Sequence, residues 1–206
     1  VAYSSLFSHA NPPQGFSWTN NETGTYAVGL VVTPAVKGDF TSIWYYVGEN
    51  ELGTVAAKVH VYQYAYVNTL PDNQTPYISE DFFFRNTIGW QEVALSNPVS
   101  VTAGTRYVIS VSFPSSGAYY SAVANVFQQD VTSGNLTAES RATVHNGRYS
   151  DLNGNSLEAQ YPMKNYSIAS YCVDVTFDSG WASQSINHFI VTEARTLSPL
   201  DVTIVS

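Results

Sequence analysis

The stretch Tyr107-Val-Ile-Ser-Val-Ser-Phe113 decides the fold. Tyr107, Ile109, Val111 and Phe113 fall on one side of an extended chain, and Ser110 and Ser112 fall on the other. That period of two marks a β-strand with one buried face. Tyr171-Cys-Val-Asp-Val-Thr-Phe177 repeats the design, with Asp174 and Thr176 expected on the wet face. Working outward, further strands are predicted over residues 26–33, 39–47, 55–65, 78–84, 90–95, 118–124 and 200–205. Gly- and Pro-rich turns separate them, at Pro34 to Gly38, Gly48 to Gly53, Pro71 to Pro76, Thr102 to Thr105 and Pro114 to Gly117. Residues 121–129 read as a short turn of helix, and no segment carries a sustained, capped helical stripe. About eight or nine short strands at regular spacing specify an all-β chain, an antiparallel β-sandwich of jelly-roll-like type.

Two stretches stand apart from the alternating strands. Residues 130–160, rich in Asn, Ser and Gly, read as long surface loops. Residues 1–178 make up the sandwich module, and 179–206 form a C-terminal, strand-like extension. Within that extension Leu200, Val202 and Ile204 alternate with Asp201 and Thr203 after Pro199. A strand with one apolar face needs a cover, so residues 195–206 are expected to pair with a neighbouring subunit, giving a homo-oligomer, with the next domain, or with their own sandwich.

The chain has 206 residues and 44% hydrophobic content, enough for one well-formed core. Only 12% of the residues are charged, while Phe, Trp and Tyr reach 14%, so the surface is made largely of Ser, Thr, Asn, Gln and Tyr. A net charge of −8 repels phosphate backbones, and no Lys/Arg stripe overrides it, which excludes nucleic acid as a partner. The lone Cys172 rules out an internal disulfide framework and a cysteine metal site. With no apolar run of about 18 residues, no membrane insertion is expected. The chain begins at Val1, which fits a processed chain or a piece of a longer one.

The residues offer little to a catalytic reading. His9, His60, His145 and His188 are scattered, without a nucleophile-elbow or zinc spacing. His60 shares a strand face with Lys58 and Tyr62, a face expected to meet solvent. Hydrolysis of glycans needs two carboxylates facing one groove. The adjacent pair Glu80 and Asp81 points to opposite faces of its strand, so the chain is expected not to be an enzyme. No cofactor is expected, and calcium is the one candidate ion. Asp151, Asn153, Asn155 and Glu158 place oxygen ligands at alternating positions, but Gly154 falls fourth where a calcium-binding EF-hand loop needs its glycine sixth. A Gly/Asn turn at a hairpin tip reads the same residues, and it is the preferred reading. Aromatic rings are the remaining resource, because Tyr and Trp stack on the apolar faces of sugars. Trp44 and Tyr46 share the outward face of their strand if Ile43 and Tyr45 are buried. Tyr119, Tyr120, Tyr149 and Tyr161 flank the irregular loops, and these six rings form the candidate ligand set.

A family resemblance enters at Gly89-Trp-Gln-Glu-Val93, Pro98-Val99 and Thr102-Ala-Gly-Thr-Arg-Tyr-Val108. These segments resemble a bacterial family catalogued only as a domain of unknown function and found in large extracellular multidomain proteins, whose pattern runs G-W-Q-x-V, P-V, T-A-G-T-x-Y-V. Ile43-Trp-Tyr-Tyr-Val-Gly48 is similar to that family's I-R-F-Y-K-G, Tyr171 to Phe177 to its Y-W-V-D-V-V-F, and Gly117 to Tyr120 to its G-H-Y-A. The resemblance implies a jelly-roll-like module that binds carbohydrate in glycan-active or adhesive proteins. Trp44 stands where the family has a basic residue, and Cys172 where it has tryptophan. The expectation is therefore a non-catalytic glycan-binding or adhesion module, extracellular, on a cell surface or on a virion. The alternative is a structural virion component, such as a phage minor tail, fibre or capsid-decorating protein, whose partners are neighbouring subunits.

Overall fold

Every side chain of the strand that opened the sequence reading is buried, the serines included. The computed structural model describes residues 3–10, 16–21, 26–51, 57–65, 75–83, 85–113, 119–151, 161–165 and 169–180. In chain order the strands are β1 (Tyr3–Ser4), β2 (Phe16–Asn21), β3 (Tyr26–Pro34), β4 (Gly38–Val47), β5 (Ala57–Gln63), β6 (Ile78–Phe82) and β7 (Gly89–Val101). They continue with β8 (Tyr107–Phe113), β9 (Tyr119–Val123), β10 (Val131–Ser133), β11 (Leu136–Ala138), β12 (Arg148–Asp151), β13 (Lys164–Asn165) and β14 (Val173–Asp178). One helical turn, α1 (Arg141–Val144), and 3₁₀ turns at Glu49–Glu51 and Val126–Gln128 complete the described elements. The second 3₁₀ turn lies inside the stretch expected to hold a short turn of helix.

The strands form an antiparallel, sandwich-like arrangement. One sheet runs β1-β14-β4-β7; the larger runs β10-β11-β3-β8-β5-β6, with β12 also pairing along β3 and β13 beside β12. Strands β2 and β9 make a separate pair. Between the two sheets lies the main core. Leu30 and Val32 of β3, Ile109, Val111 and Phe113 of β8, and Val59 and Val61 of β5 meet Phe40, Ile43 and Tyr45 of β4 and Val173, Val175 and Phe177 of β14. Each fully buried side chain of this kind stabilises by about 1.5–3 kcal/mol. Phe40 sets its edge against Tyr107 at 5.6 Å and Phe177 at 6.0 Å, favoured geometries for aromatic rings.

The larger sheet is covered on its outer face as well, which corrects the expectation of one wet face. Val31, Val108 and Tyr62 stand side by side across β3, β8 and β5, under Val144 of α1 and Tyr161. The next row, Arg148, Gly29, Ser110 and His60, is also buried at its three side-chain positions. His60, expected in solvent, is fully enclosed, with its ring 5.5 Å from that of Tyr62 and its Nδ1 3.4 Å from Ser112 Oγ. The expected loop region 130–160 likewise contributes β10, β11, α1 and β12, and its Leu136, Ala138 and Val144 are core residues. These elements are three or four residues long, too short for periodicity to reveal them. Residues 152–160, and the predicted strand 200–205, lie outside the described residues.

Gly29 of β3 sits tightly against β8. A Cβ there would collide with the Ile109 carbonyl oxygen and sit 3.0 Å from Ser110 Cβ. Because the obstacle is backbone, Gly29→Ala is expected to cost about 1–3 kcal/mol, read as a lower midpoint in urea unfolding at unchanged slope.

Candidate functional site

The outer face of the smaller sheet carries the most developed surface cluster. Ile43 and Tyr45 are buried, so Trp44 faces outward as the alternation requires. Its strand neighbours in register are Asp174 on β14 and Glu92 on β7. Trp44 is half-buried, and its indole N–H donates to Thr176 Oγ1 at 2.8 Å, which fixes the ring. The His9 ring stacks on it at a centroid distance of 4.0 Å and 20° between planes. Trp90, next along β7, lies 5.1 Å from the His9 ring and stacks with Phe7 at 6.2 Å. Phe7, His9, Trp44 and Trp90 are all half-buried, forming an aromatic strip with exposed Glu92 at its edge.

Asp174 holds this strip together. Its Oδ1 accepts from the Leu6 N–H at 3.1 Å and from its neighbour Val175 N–H at 2.8 Å. Its Oδ2 accepts from the Phe7 N–H at 2.9 Å and lies 2.9 Å from His9 Nε2. The sequence placed Asp174 on a wet face; it is fully buried because residues 6–9 cross over it. Carboxylates survive burial when hydrogen bonds replace the lost water, and four partners do so here.

The other expected ligand residues do not join Trp44. Tyr46 shares the Trp44 face, with its ring edge-on to Trp90 at 5.7 Å, but it is only 5% exposed, covered by Val123 and Cys172. Tyr120 is buried with its ring edge-on to Tyr171 at 5.4 Å. Tyr149 is half-buried against the main core, with Lys164 Nζ 5.8 Å from its ring centre. Tyr161 is 1% exposed; its hydroxyl accepts from the Ala65 N–H at 3.0 Å and donates to the Ala65 carbonyl at 3.1 Å. Tyr149 and Tyr161 belong to the larger sheet's side of the molecule, away from the face that carries Trp44. The Tyr119 side chain lies outside the described residues, as do the Asp151 side chain and Asn153, Asn155 and Glu158. Among the described residues no group of three His, Cys, Asp or Glu could hold a metal.

Sequence reasoning missed His9, Phe7 and Glu51. Only the aromatic character of the first two was visible, because their partners are more than 160 positions away. Glu51, in the first 3₁₀ turn, is fully buried at one end of the sandwich. Its carboxyl accepts from the Tyr45 hydroxyl, from the Gly48 N–H at 2.5 Å and from Ser121 Oγ at 2.5 Å. Burial pushes its pKa up to about 7, against the opposing pull of those hydrogen bonds. Burial, with the nearby Lys58 charge, lowers His60 to about 4. Both groups are structural in their surroundings, enclosed and away from the aromatic strip.

Residues 11–173 match the model of a family described as "Domain of unknown function (DUF4082)". No curated protein matches the chain.

Proposed function

The chain belongs to this family of unknown function, and from that premise we propose that it is a non-catalytic, jelly-roll-like module that binds glycan outside the cytoplasm or on a particle surface. The observation that carries the reading is the strip of Phe7, His9, Trp44 and Trp90, half-exposed on a rigid sheet and edged by the Glu92 carboxylate. Rings supply the apolar surface that a sugar face stacks on, and a carboxylate accepts from hydroxyls. Two features support binding over hydrolysis. Asp174, the carboxylate that seats His9 and Phe7 in the strip, is buried and saturated with four partners, so it has no free lone pair aimed at a substrate. Glu51 is enclosed at the end of the sandwich. The low charge and the hydroxyl- and amide-rich composition suit an extracellular, cell-surface or virion setting. No helix among the described residues is long and apolar enough to cross a membrane.

Stacking on one or two rings supplies only a few kcal/mol, so dissociation constants of about 10⁻³–10⁻⁵ M are expected. A glycan array followed by titration calorimetry checks this, with Trp44→Ala expected to weaken binding at least about tenfold. If no glycan binds below about 10 mM, the reading is wrong.

A further inference from the structure

A concave surface lies on the larger sheet and shares no residue with the aromatic strip. It is a cleft of about 530 Å³, walled by the end of β3, the residues just after β5 and the turn between β7 and β8. That volume falls within the range of small-ligand sites. Its walls are pinned by backbone bonds, from the Gly104 N–H to the Pro34 carbonyl at 2.8 Å and from the Tyr64 N–H to the Arg106 carbonyl at 3.0 Å. Inside it, Arg106 Nε donates to Glu139 Oε2 at 2.6 Å and Nη2 donates to Oε1 at 2.8 Å. The Thr33 hydroxyl adds a third bond to Glu139, at 3.0 Å. The guanidinium carbon of Arg106 lies 6.0 Å from the centre of the Tyr64 ring, and that of Arg148 lies 5.6 Å from the same ring.

This fork does more than join two strands. Arginine has five N–H donors, and a bidentate carboxylate uses two, which leaves three in a fixed plane. The Arg106 side chain is 41% exposed, so those donors are reachable from the cleft. The fork's hydrogen bonds hold Arg106 above its ordinary pKa and Glu139 below its own, so both stay charged near neutral pH and cancel. Arg148, the other cation beside Tyr64, is 3% exposed, donates to the Pro162 carbonyl and does not line the cleft. The remaining lining side chains that carry polar atoms, Thr33, Gln63, Tyr64, Thr105 and Thr137, are uncharged. An anion entering would meet the fixed Glu139 charge on a chain of net charge −8. A ligand rich in hydroxyls but without charge would meet planar donors, a carboxylate edge and threonine hydroxyls, with Pro34 and Ala35 beside them.

We infer that this cleft is a binding site for a neutral, hydroxyl-rich ligand, a neutral sugar unit, separate from the Trp44 strip. It extends the glycan reading to a second surface, and each site can fail while the other stands. The test is a nuclear magnetic resonance titration of the isotopically labelled full chain with galactose, glucose, N-acetylglucosamine and, for contrast, glucuronate. The expected result is saturable shifts at Gly104, Thr105 and Arg106 with a neutral sugar, at about millimolar dissociation constant, and weaker shifts with glucuronate. Arg106→Ala is expected to weaken these at least about tenfold, and Trp44→Ala to leave them unchanged. A part-exposed ion pair contributes little to stability, so the variant keeps its fold, and its own spectrum verifies this. Glu139→Gln removes the balancing charge and is expected to reverse the preference toward glucuronate. The inference is overturned by absent shifts at the cleft up to about 100 mM sugar, where binding is weaker than about 1.4 kcal/mol. It is overturned equally by glucuronate binding the unaltered chain as well as a neutral sugar does, or by Arg106→Ala having no effect.

Discussion

Glu51→Gln and His60→Gln are expected to change the pH dependence of stability in opposite directions, each by about 3 kcal/mol across the mildly acidic range. The Glu51 carboxyl has a folded pKa of about 7, above the ordinary 4.5. Between those values the folded state holds more protons than the unfolded state, so this group's contribution is full below about pH 4.5 and is lost as pH rises through 7. His60 is shifted the other way, from 6.5 down to about 4. There the unfolded state binds more protons, so its contribution is full above about pH 6.5 and is lost as pH falls through 4. In the unaltered chain the two slopes offset one another. Urea unfolding at several pH values between 4 and 7.5 separates them, using the difference between each variant and the parent. The Glu51→Gln minus parent difference is expected to rise with pH, and the His60→Gln minus parent difference to fall. Flat difference curves for both would show that neither group is titrating from inside the fold.

Asp174→Ala is expected to destabilise the fold by about 3–5 kcal/mol, because it strands several buried donors at once. The Leu6, Phe7 and Val175 N–H groups and His9 Nε2 all lose the same acceptor. Asp174→Asn is expected to cost less, since one amide oxygen still accepts while the amide nitrogen cannot. Chemical unfolding gives the size of the loss. Hydrogen exchange at Leu6 and Phe7 gives its location, with protection there falling further than in β8. A loss under about 1 kcal/mol, with exchange unaltered, would mean that the carboxylate is not what holds residues 6–9 against the sheet.

What the sequence revealed, and what it hid, follows from the range of each interaction. Strand β8 was legible because Tyr107, Ile109, Val111 and Phe113 recur at a spacing that the backbone itself imposes. The burial of Ser110 and Ser112 was not legible. Small hydroxyls fit either face, and the cover comes from distant residues such as Val144 and Tyr161, which close the neighbouring row. Asp174 was misread for a related reason. A carboxylate looks wet until its donors are known, and these come from the other end of the chain. Trp44 was placed correctly on the outward face because burial of Ile43 and Tyr45 follows from alternation alone. Tyr46 shares that face, against Trp90, but its burial was not legible, because the cover provided by Val123 is a tertiary contact. Arg106 and Glu139, 33 positions apart, gave no local sign that they form a fork.

The tether from Asp174 to His9, Phe7 and Leu6 also sets a clock. These partners are 165, 167 and 168 positions apart. At roughly 5–20 residues per second of synthesis, the earliest residues of the aromatic strip wait on the order of ten to thirty seconds for the carboxylate that seats them. A chain halted between residues 90 and 173 has Trp44 and Trp90 but lacks the Asp174 carboxylate that seats His9 over them. The aromatic face is therefore completed late, after most of the sheet residues have emerged, and a fully seated aromatic strip reports that the chain was made at least as far as β14.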